Sequence, residues 1–312
     1  MPDNLETITA AIEEKLGSLS EIERIDGGLV HFVYKLRLKD QTVFLKIRGD
    51  NFALAPIVTK RELILYETAG LKIANDIAPG YFPQLIQYDN KMGYMVISDV
   101  LPGGSTLESI HAAHNADTEL YAKIGDVVAM AHLALDNNSK EDDGIVSGPE
   151  LDRQKLSYLT EKLGKEDADN FYKLYRAQPK QFIHGDLSPK NILVKDEIIR
   201  FCDLDSFREG AVEIDQAWII AHTIIHSYTK DEAINLIGAF VRSYKSKHPI
   251  SVDTQLFILL VGMALLHRLD NNLLKYKMRI SDEGKGLIAQ RLRSKLRNIE
   301  TLEELVDNFF LK

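Results

Sequence analysis

One cysteine, Cys202, stands in 312 residues. With a single thiol the chain forms neither an internal disulfide nor a cysteine-based zinc site. Positive charge is also scarce: 38 Lys and Arg face 46 Asp and Glu, for a formal net charge of −8. That balance lacks the basic excess with which nucleic-acid binders meet a phosphate backbone, so no nucleic-acid partner is expected. Nor is there a long apolar run. The longest, LFILLVGMALL from Leu256 to Leu266, reaches about half the length a bilayer requires and reads as a buried helix, with no membrane partner. The N-terminal MPDNLETITAAIEEKLG is acidic where a signal peptide is basic and has no cleavable apolar core; the expected location is the cytoplasm. No G-x-x-x-x-G-K-S/T stretch occurs, which excludes P-loop kinases at the level of motif. Internal repeats and low-complexity tracts are missing as well.

What is present describes a globular chain. An apolar share of 45% with 27% charged residues is enough to bury a core, and the length suits two ordinary domains or one bilobal unit. Residues Leu5 to Leu16 have helical periodicity. Short β-branched and aromatic segments follow at Ile22–Ile25, Phe32–Leu38 and Thr42–Ile47. Arg61–Ala69 returns to helix, and Phe82–Tyr88 with Tyr94–Val100 reads as a second strand pair. An antiparallel sheet with one inserted helix is therefore expected for residues 1–100. LPGGS, Leu101 to Ser105, is the linker, and the chain beyond it is mostly helical. Glu119–Leu135 is periodic, and Ser147–Glu150 and Thr301–Glu304 have the spacing of capping boxes. Asn137–Gly144 reads as a polar surface loop, RLRSKLR (Arg291 to Arg297) as a solvated helix face, and VDNFF (Val306 to Phe310) as an amphipathic helix end.

One stretch breaks the helical texture: FIHGDLSPKNILVKDEIIRFCDLDSF, Phe182 to Phe207. Two short apolar runs around Lys195-Asp196-Glu197 read as a hairpin with polar ends. Moving a phosphoryl group from a nucleotide to a hydroxyl requires a carboxylate to position and deprotonate the acceptor, and oxygen ligands for Mg²⁺ on the phosphates. A D-x-x-x-x-N loop supplies the base and one ligand, and an Asp after the next hairpin supplies another. Asp186 and Asn191 have that spacing, with Pro189 stiffening the loop between them, and Asp203 closes the hairpin. Alone, D-x-x-x-x-N is an ordinary turn pattern. The HG before it, the hairpin and the DLD after it reverse that reading. Either Asp203 or Asp205 serves as the main metal ligand, since residues two apart share a face of an extended segment. His184 reads as a structural ring bonded into the loop and Cys202 as a strand residue without chemistry.

HGDLSPKNIL followed by CDLDSF resembles the catalytic and metal segments of the aminoglycoside phosphotransferase and choline kinase-like superfamily, relatives of protein kinases. The resemblance covers most of the chain. It implies an α+β, bilobal, protein kinase-like fold: an N-lobe at 1–100 with a β-rich sheet and one helix, and a large helical C-lobe at 101–312. VYKL then VFLK matches the nucleotide-covering hairpin, with Lys46 on the phosphates. Glu62, sixteen residues on, has the spacing of the acid that pairs with that Lys. YMVISDVLPG resembles the hinge strand, where backbone groups near Ser98 and Val100 would hold adenine. The glycines of DGGLVHF, Gly27 and Gly28, stand in for a phosphate-covering loop without a G-x-G-x-x-G pattern. Matching I-D-F-D/E places Asp203 as the metal ligand with Asn191, leaving Asp205 and Ser188 as auxiliary groups. Asp215, in EIDQAW, falls where the family braces its catalytic loop, together with His184. ATP and Mg²⁺ are the implied cofactors, and an alcohol is the implied acceptor.

Two departures from protein kinases narrow the substrate. Gly185 replaces the Arg of H-R-D, and the short run from Asp203 to Asp215 has no A-P-E segment and little room for a peptide-docking platform. A small-molecule acceptor is therefore expected, and a protein kinase is the weaker alternative. A nucleotide-binding sensor or scaffold without catalysis is the other alternative; the complete set Lys46, Glu62, Asp186, Asn191 and Asp203 weighs against it. Acceptors within the superfamily include aminoglycosides, choline-like amines, sugars, methylthioribose and hydroxy amino acids. The acidic balance leans toward a cationic one.

Overall fold

A computed structural model describes residues 4–25, 31–48, 62–136, 156–157, 160, 163–248, 254–270 and 280–310. The chain opens with α1 (Leu5–Leu16), whose Ile8 and Ile12 are fully buried. Next come β1 (Leu19–Ile25), β2 (His31–Leu38) and β3 (Thr42–Arg48), then α2 (Glu62–Ile77), β4 (Leu85–Asp89) and β5 (Tyr94–Ser98). The strands form one five-stranded sheet in the order β1-β2-β3-β5-β4, antiparallel at every pairing.

Alternation along the strands decides what each face does. Tyr34, Leu36 and Leu38 of β2 and Val43, Leu45 and Ile47 of β3 pack with Ile8 and Ile12 in a core of their own. Lys46, between Leu45 and Ile47, is thereby turned to the opposite face. Met95 and Ile97 of β5 belong instead to the large core that α2 shares with the C-terminal helices.

The second part begins with β6 (Ser105–Thr106), α3 (Leu107–Ala112), α4 (Thr118–Asp136) and α5 (Lys165–Arg176). Then come β7 (Gln181–Ile183), β8 (Ile192–Lys195), β9 (Ile198–Phe201) and β10 (Arg208–Gly210). The chain finishes in α6 (Glu213–His226), α7 (Lys230–Lys247), α8 (Thr254–Asp270), α9 (Asp282–Lys295) and α10 (Leu302–Phe310). The α6 helix is buried on all sides from Glu213 to Ile225, the signature of a central helix. Helices α4 and α7 approach so closely that a Cβ on Gly125 would lie 2.4 Å from the Phe240 carbonyl oxygen.

Two contacts fasten the small hairpin to the first part of the chain. Phe201 N–H donates to the Tyr81 carbonyl at 2.9 Å. Gly70 of α2 lies against Phe207, where an added Cβ would meet ring and Cβ atoms at 2.9–3.1 Å.

Several sequence expectations are adjusted here. The α2 helix runs on to Ile77, and β5 stops at Ser98, two residues earlier than expected. In the Thr301 cap, Oγ1 accepts from Glu304 N–H at 3.1 Å, but the Glu304 carboxylate turns to Glu300 N–H instead of closing the box. Arg293 bonds to Asp270 and Arg297 Nε lies 2.5 Å from Asp167 Oδ1. The RLRSKLR face is thus pinned to neighbouring helices as well as solvated. The C-terminal VDNFF lies in α10, which buries Leu305, Val306 and Phe309. Ser147–Glu150 and Asn137–Gly144 fall outside the described residues. Among the described residues, no helix is long and apolar enough to cross a membrane.

Candidate active site

The loop that carries Asp186 leaves β7 at Ile183 and is held by Asp215, in the first turn of α6. Asp215 Oδ2 accepts from His184 N–H at 2.9 Å and Oδ1 from Gly185 N–H at 2.7 Å. His132 Nε2 completes the set at 3.1 Å. Burial disfavours the Asp215 anion, but the His132 hydrogen bond and charge outweigh it, so the carboxyl is held below its ordinary range. Asp186 N–H donates to His184 Nδ1 at 3.3 Å, so the ring proton sits on Nε2 and is donated to the Cys202 carbonyl at 2.9 Å. His184 therefore ties the loop to the strand end carrying Asp203.

Gly185 has φ +83°, and a Cβ there would sit 2.2 Å from Ser206 O and 2.3 Å from Arg208 Nη1. Its place in the sequence thus has a local cause as well as a comparative one: only glycine fits this backbone beside that carbonyl.

Asp186 and Asn191 meet through the loop. Asn191 Nδ2 donates to the Asp186 carbonyl at 2.8 Å and lies 3.3 Å from Asp186 Oδ2. Because a carbonyl requires a donor, the amide is oriented with Oδ1 turned the other way. Asp186 Oδ1 is buried and accepts no hydrogen bond among the described residues. Burial works against an ionised Asp186, yet the charges of Lys190 and Arg268 prevail and hold the carboxyl low. Lys190 Nζ lies 3.5 Å from Oδ2, and Arg268 Nη2 lies 3.8 Å from Oδ1.

Asp203 occupies a left-handed backbone conformation, φ +68°, a state Asp tolerates better than most residues and one that recurs at functional sites. The DLD segment is therefore not extended at Asp203, as the sequence reading has it. Asp203 Oδ1 accepts from Lys46 Nζ at 2.6 Å and Oδ2 lies 3.7 Å from Lys190 Nζ. Asp205 Oδ1 accepts from Ser206 Oγ at 3.0 Å. Burial opposes the Asp203 anion, but Lys46 and Lys190 hold its carboxyl far below the usual range.

The second partner of Lys46 is Glu67, at 2.5 Å, where the spacing argument names Glu62. Five helical residues rotate a side chain by about 140°, so the two acids leave α2 in different directions. The Glu62 side chain lies outside the described residues. Burial raises the Glu67 carboxyl to about 7, against the pull of Lys46 and with the push of Asp203 and Asp205. Lys46 itself loses solvation on burial, but Asp203 and Glu67 raise it above its ordinary value and keep it charged.

Other expected residues sit as follows. Ser98 spends its N–H on the Gln84 carbonyl at 2.9 Å, and its Oγ accepts from Gln84 N–H. Val100, just beyond the strand, is half-buried. Gly27 and Gly28 lie outside the described residues. Ser188 is fully buried, and its carbonyl accepts from Asn191 N–H in the one-turn 3₁₀ segment begun by Pro189. Cys202 is half-buried just past β9, not within a strand. Burial and the Asp203 charge push its thiol up to about 12.

Three residues at the site escape motif reading. Glu67 is the second acid of RELILYETAG and is found only by following the helix period. Lys190 precedes Asn191 and reads as a turn residue until Asp186 and Asp203 flank it. Arg268 is a charge directly behind the longest apolar run, an anomaly that marks a buried partner.

No group of three or more His, Cys, Asp or Glu among the described residues is arranged to hold a metal ion. Mg²⁺ does not need one, since it commonly takes one or two protein oxygens and completes its shell with phosphate and water. The Asp203 carboxylate, kept ionised, and the outward Asn191 amide oxygen are hard donors of that kind, so the residues fit the ion.

Comparison with known proteins gives the family and the fold. Residues 21–252 match the model of the phosphotransferase enzyme family. No curated protein matches the sequence. Among solved structures, the choline kinase LicA from Streptococcus pneumoniae superposes with a TM-score of 0.62 at 16% identity, covering 94% of this chain and 99% of that one. An amicoumacin kinase in complex with AMP-PNP, Ca²⁺ and its antibiotic gives 0.63 at 12% identity, over 97% and 98%. A spectinomycin phosphotransferase in complex with ADP and spectinomycin gives 0.54 at 15%, over 99% and 94%. Similarity at these identities concerns the fold: a protein kinase-like arrangement of an N-terminal antiparallel sheet and a mostly helical remainder. With the match spanning most of its length, the chain belongs to the phosphotransferase enzyme family.

Proposed function

We propose that the chain transfers the γ-phosphoryl group of ATP to a hydroxyl of a small molecule, with Asp186 as the base. The observation that carries this reading is the state of Asp186. Its backbone carbonyl and Oδ2 face Asn191, its charge is kept negative, and Oδ1 is left buried without a hydrogen bond among the described residues. A fixed anion with one acceptor atom that lacks a hydrogen bond suits the proton of an alcohol.

The remaining roles follow from charge and position. Lys46, anchored by Glu67, bears on the nucleotide phosphates, and Asn191 and Asp203 supply the oxygen ligands for Mg²⁺. When bound, the ion neutralises charge on the phosphates. Asp205 and Ser188 act as auxiliary groups around that position, and Asp215 and His184 brace the loop. Residues 1–100 and 101–312 form two lobes with the nucleotide between them, its base near Ser98 and Val100. The segment from Asp203 to Asp215 is taken up by a turn, β10 and the start of α6, which favours a small acceptor over a peptide. A covalent phospho-enzyme is unnecessary. Positioning and charge stabilisation supply most of the acceleration in such a site.

The test is ADP release across an acceptor library, repeated with Asp186→Asn. Transfer is expected to fall by about 10³-fold while nucleotide binding stays measurable. Unchanged turnover in that variant would sink the assignment. Slow ATP turnover with every acceptor would favour a sensor or scaffold instead.

A further inference from the structure

Among the described residues, three side-chain cations stand within 4 Å of the Asp186 or Asp203 carboxylates, and they are held differently. Lys46 is locked. Its ammonium group lies 2.5 Å from Glu67 and 2.6 Å from Asp203, and its side chain is 8% exposed. Arg268, 6% exposed, is seated over the Trp218 ring at 4.7 Å and donates from Nε to His222 Nε2 at 3.0 Å. Lys190 is the loose one. Its Nζ lies 3.5 Å from Asp186 Oδ2 and 3.7 Å from Asp203 Oδ2, both longer than the contacts of Lys46, and its side chain is 34% exposed. Of the three, it alone spans both acids. Its root contrasts with its head. Pro189 and Asn191 on either side are buried in the one-turn 3₁₀ segment, and Asn191 Nδ2 ties that segment to the Asp186 carbonyl. The Cα is thus fixed by the loop, while a flexible four-carbon stem lets the ammonium group move.

From this geometry we infer that Lys190 is a further catalytic residue, whose ammonium group leaves the two carboxylates and binds the γ-phosphoryl group during its transfer. The inference rests on the kinase reading and adds a residue to it. With the acceptor at Asp186 and the nucleotide phosphates at Asp203, the transferring group passes between those acids, and Nζ stands between them. In the step, the acceptor oxygen forms a bond to the γ-phosphorus. The bond from that phosphorus to the oxygen bridging it to the β-phosphate breaks, and ADP departs with the electron pair. The hydroxyl proton goes to Asp186. Lys190 neither gives nor takes a proton; it offsets charge on the outer phosphoryl oxygens while transfer proceeds. Ion pairs of this length at a partly exposed side chain are worth little, so exchanging them for a phosphoryl oxygen costs little. The new partner carries more charge than a carboxylate and accepts a short, charge-assisted hydrogen bond.

The experiment needs no acceptor. Calorimetry on the full chain compares Mg-ADP with Mg-AMP-PNP, which carries a γ-phosphoryl group that stays in place, for the parent, Lys190→Met and Lys190→Arg. Lys190→Met is expected to weaken AMP-PNP binding by about 10-fold or more and to change ADP binding less than about 2-fold. Lys190→Arg keeps the charge and is expected to recover most of the loss. A second measurement uses the unaltered chain and covers the case in which Met fails to fold. Reductive methylation of Lys190, followed by peptide mass spectrometry, is expected to slow about 10-fold in Mg-AMP-PNP at roughly ten times its Kd, and to change little in Mg-ADP. A lysine that only balances the two carboxylates would move both nucleotides alike. That result overturns the inference, as does equal protection by the two nucleotides or protection by neither. A parent chain that binds neither nucleotide would instead bring down the kinase reading, and this inference with it.

Discussion

Asp203 and Asp215 are both ionised aspartates of the same candidate site, yet they are held by opposite means. Asp215 is 0% exposed and its partners are two backbone amides and a histidine ring. Asp203 has a side chain 29% exposed and leans on the ends of two lysines. Backbone donors are fixed by the fold, whereas ammonium groups on four-carbon stems swing away at little cost. One acid is therefore part of the frame, and the other is held by partners that can be exchanged for a metal ion or phosphates.

The sharpest break in that comparison is substitution of each acid in turn. Asp215→Ala strands two buried N–H groups and is expected to cost about 3–5 kcal/mol, read as a lower urea midpoint with an unchanged slope. Asp203→Asn is expected to cost under about 1 kcal/mol while removing transfer by about 10³-fold. Equal stability losses would dissolve the distinction. Gly185→Ala tests the frame from the other side. A Cβ 2.2 Å from Ser206 O on a backbone at φ +83° is expected to cost about 2–4 kcal/mol by thermal unfolding.

The acid limb of stability sharpens the contrast further. The folded Asp215 carboxyl is held below its ordinary value, so its contribution is complete above the unfolded carboxyl pKa near 4 and is lost as pH falls through the folded one. Asp215→Asn, less stable at neutral pH, is expected to lose less than the parent chain between about pH 5 and pH 2. The smallest effect concerns Cys202. With its thiol at about 12, iodoacetamide at pH 8 is expected to label the native protein at least about 100-fold more slowly than the urea-unfolded chain. Asp203→Asn is expected to raise that rate modestly by removing a neighbouring negative charge.

How far the sequence carries is itself uneven, for physical reasons. The loop and hairpin from His184 to Asp203 are legible because their spacing is local: each role is set by its neighbours within a turn or two. The sheet and its inserted helix follow from alternation and period, with ends displaced by up to eight residues. Glu67 is missed because spacing counted along the chain ignores rotation about a helix axis. The extended reading of DLD fails because a positive φ at a non-glycine residue leaves no mark in the sequence. Arg268 is marked locally only as an odd charge behind an apolar run; its meeting with Asp186 is set by tertiary packing from the far end of the chain.

The seat of Phe207 on Gly70 has a mechanical consequence. The turn carrying Asp203 to Ser206 is clamped to the middle of α2, one turn from Glu67, and Phe201 is tied to Tyr81 just past the same helix. Helix and turn therefore behave as one lever whose two arms end in the two carboxylates on Lys46. Swinging α2 outward, the motion by which protein kinases are switched off, would have to drag that turn with it. Such a chassis is built to stay assembled.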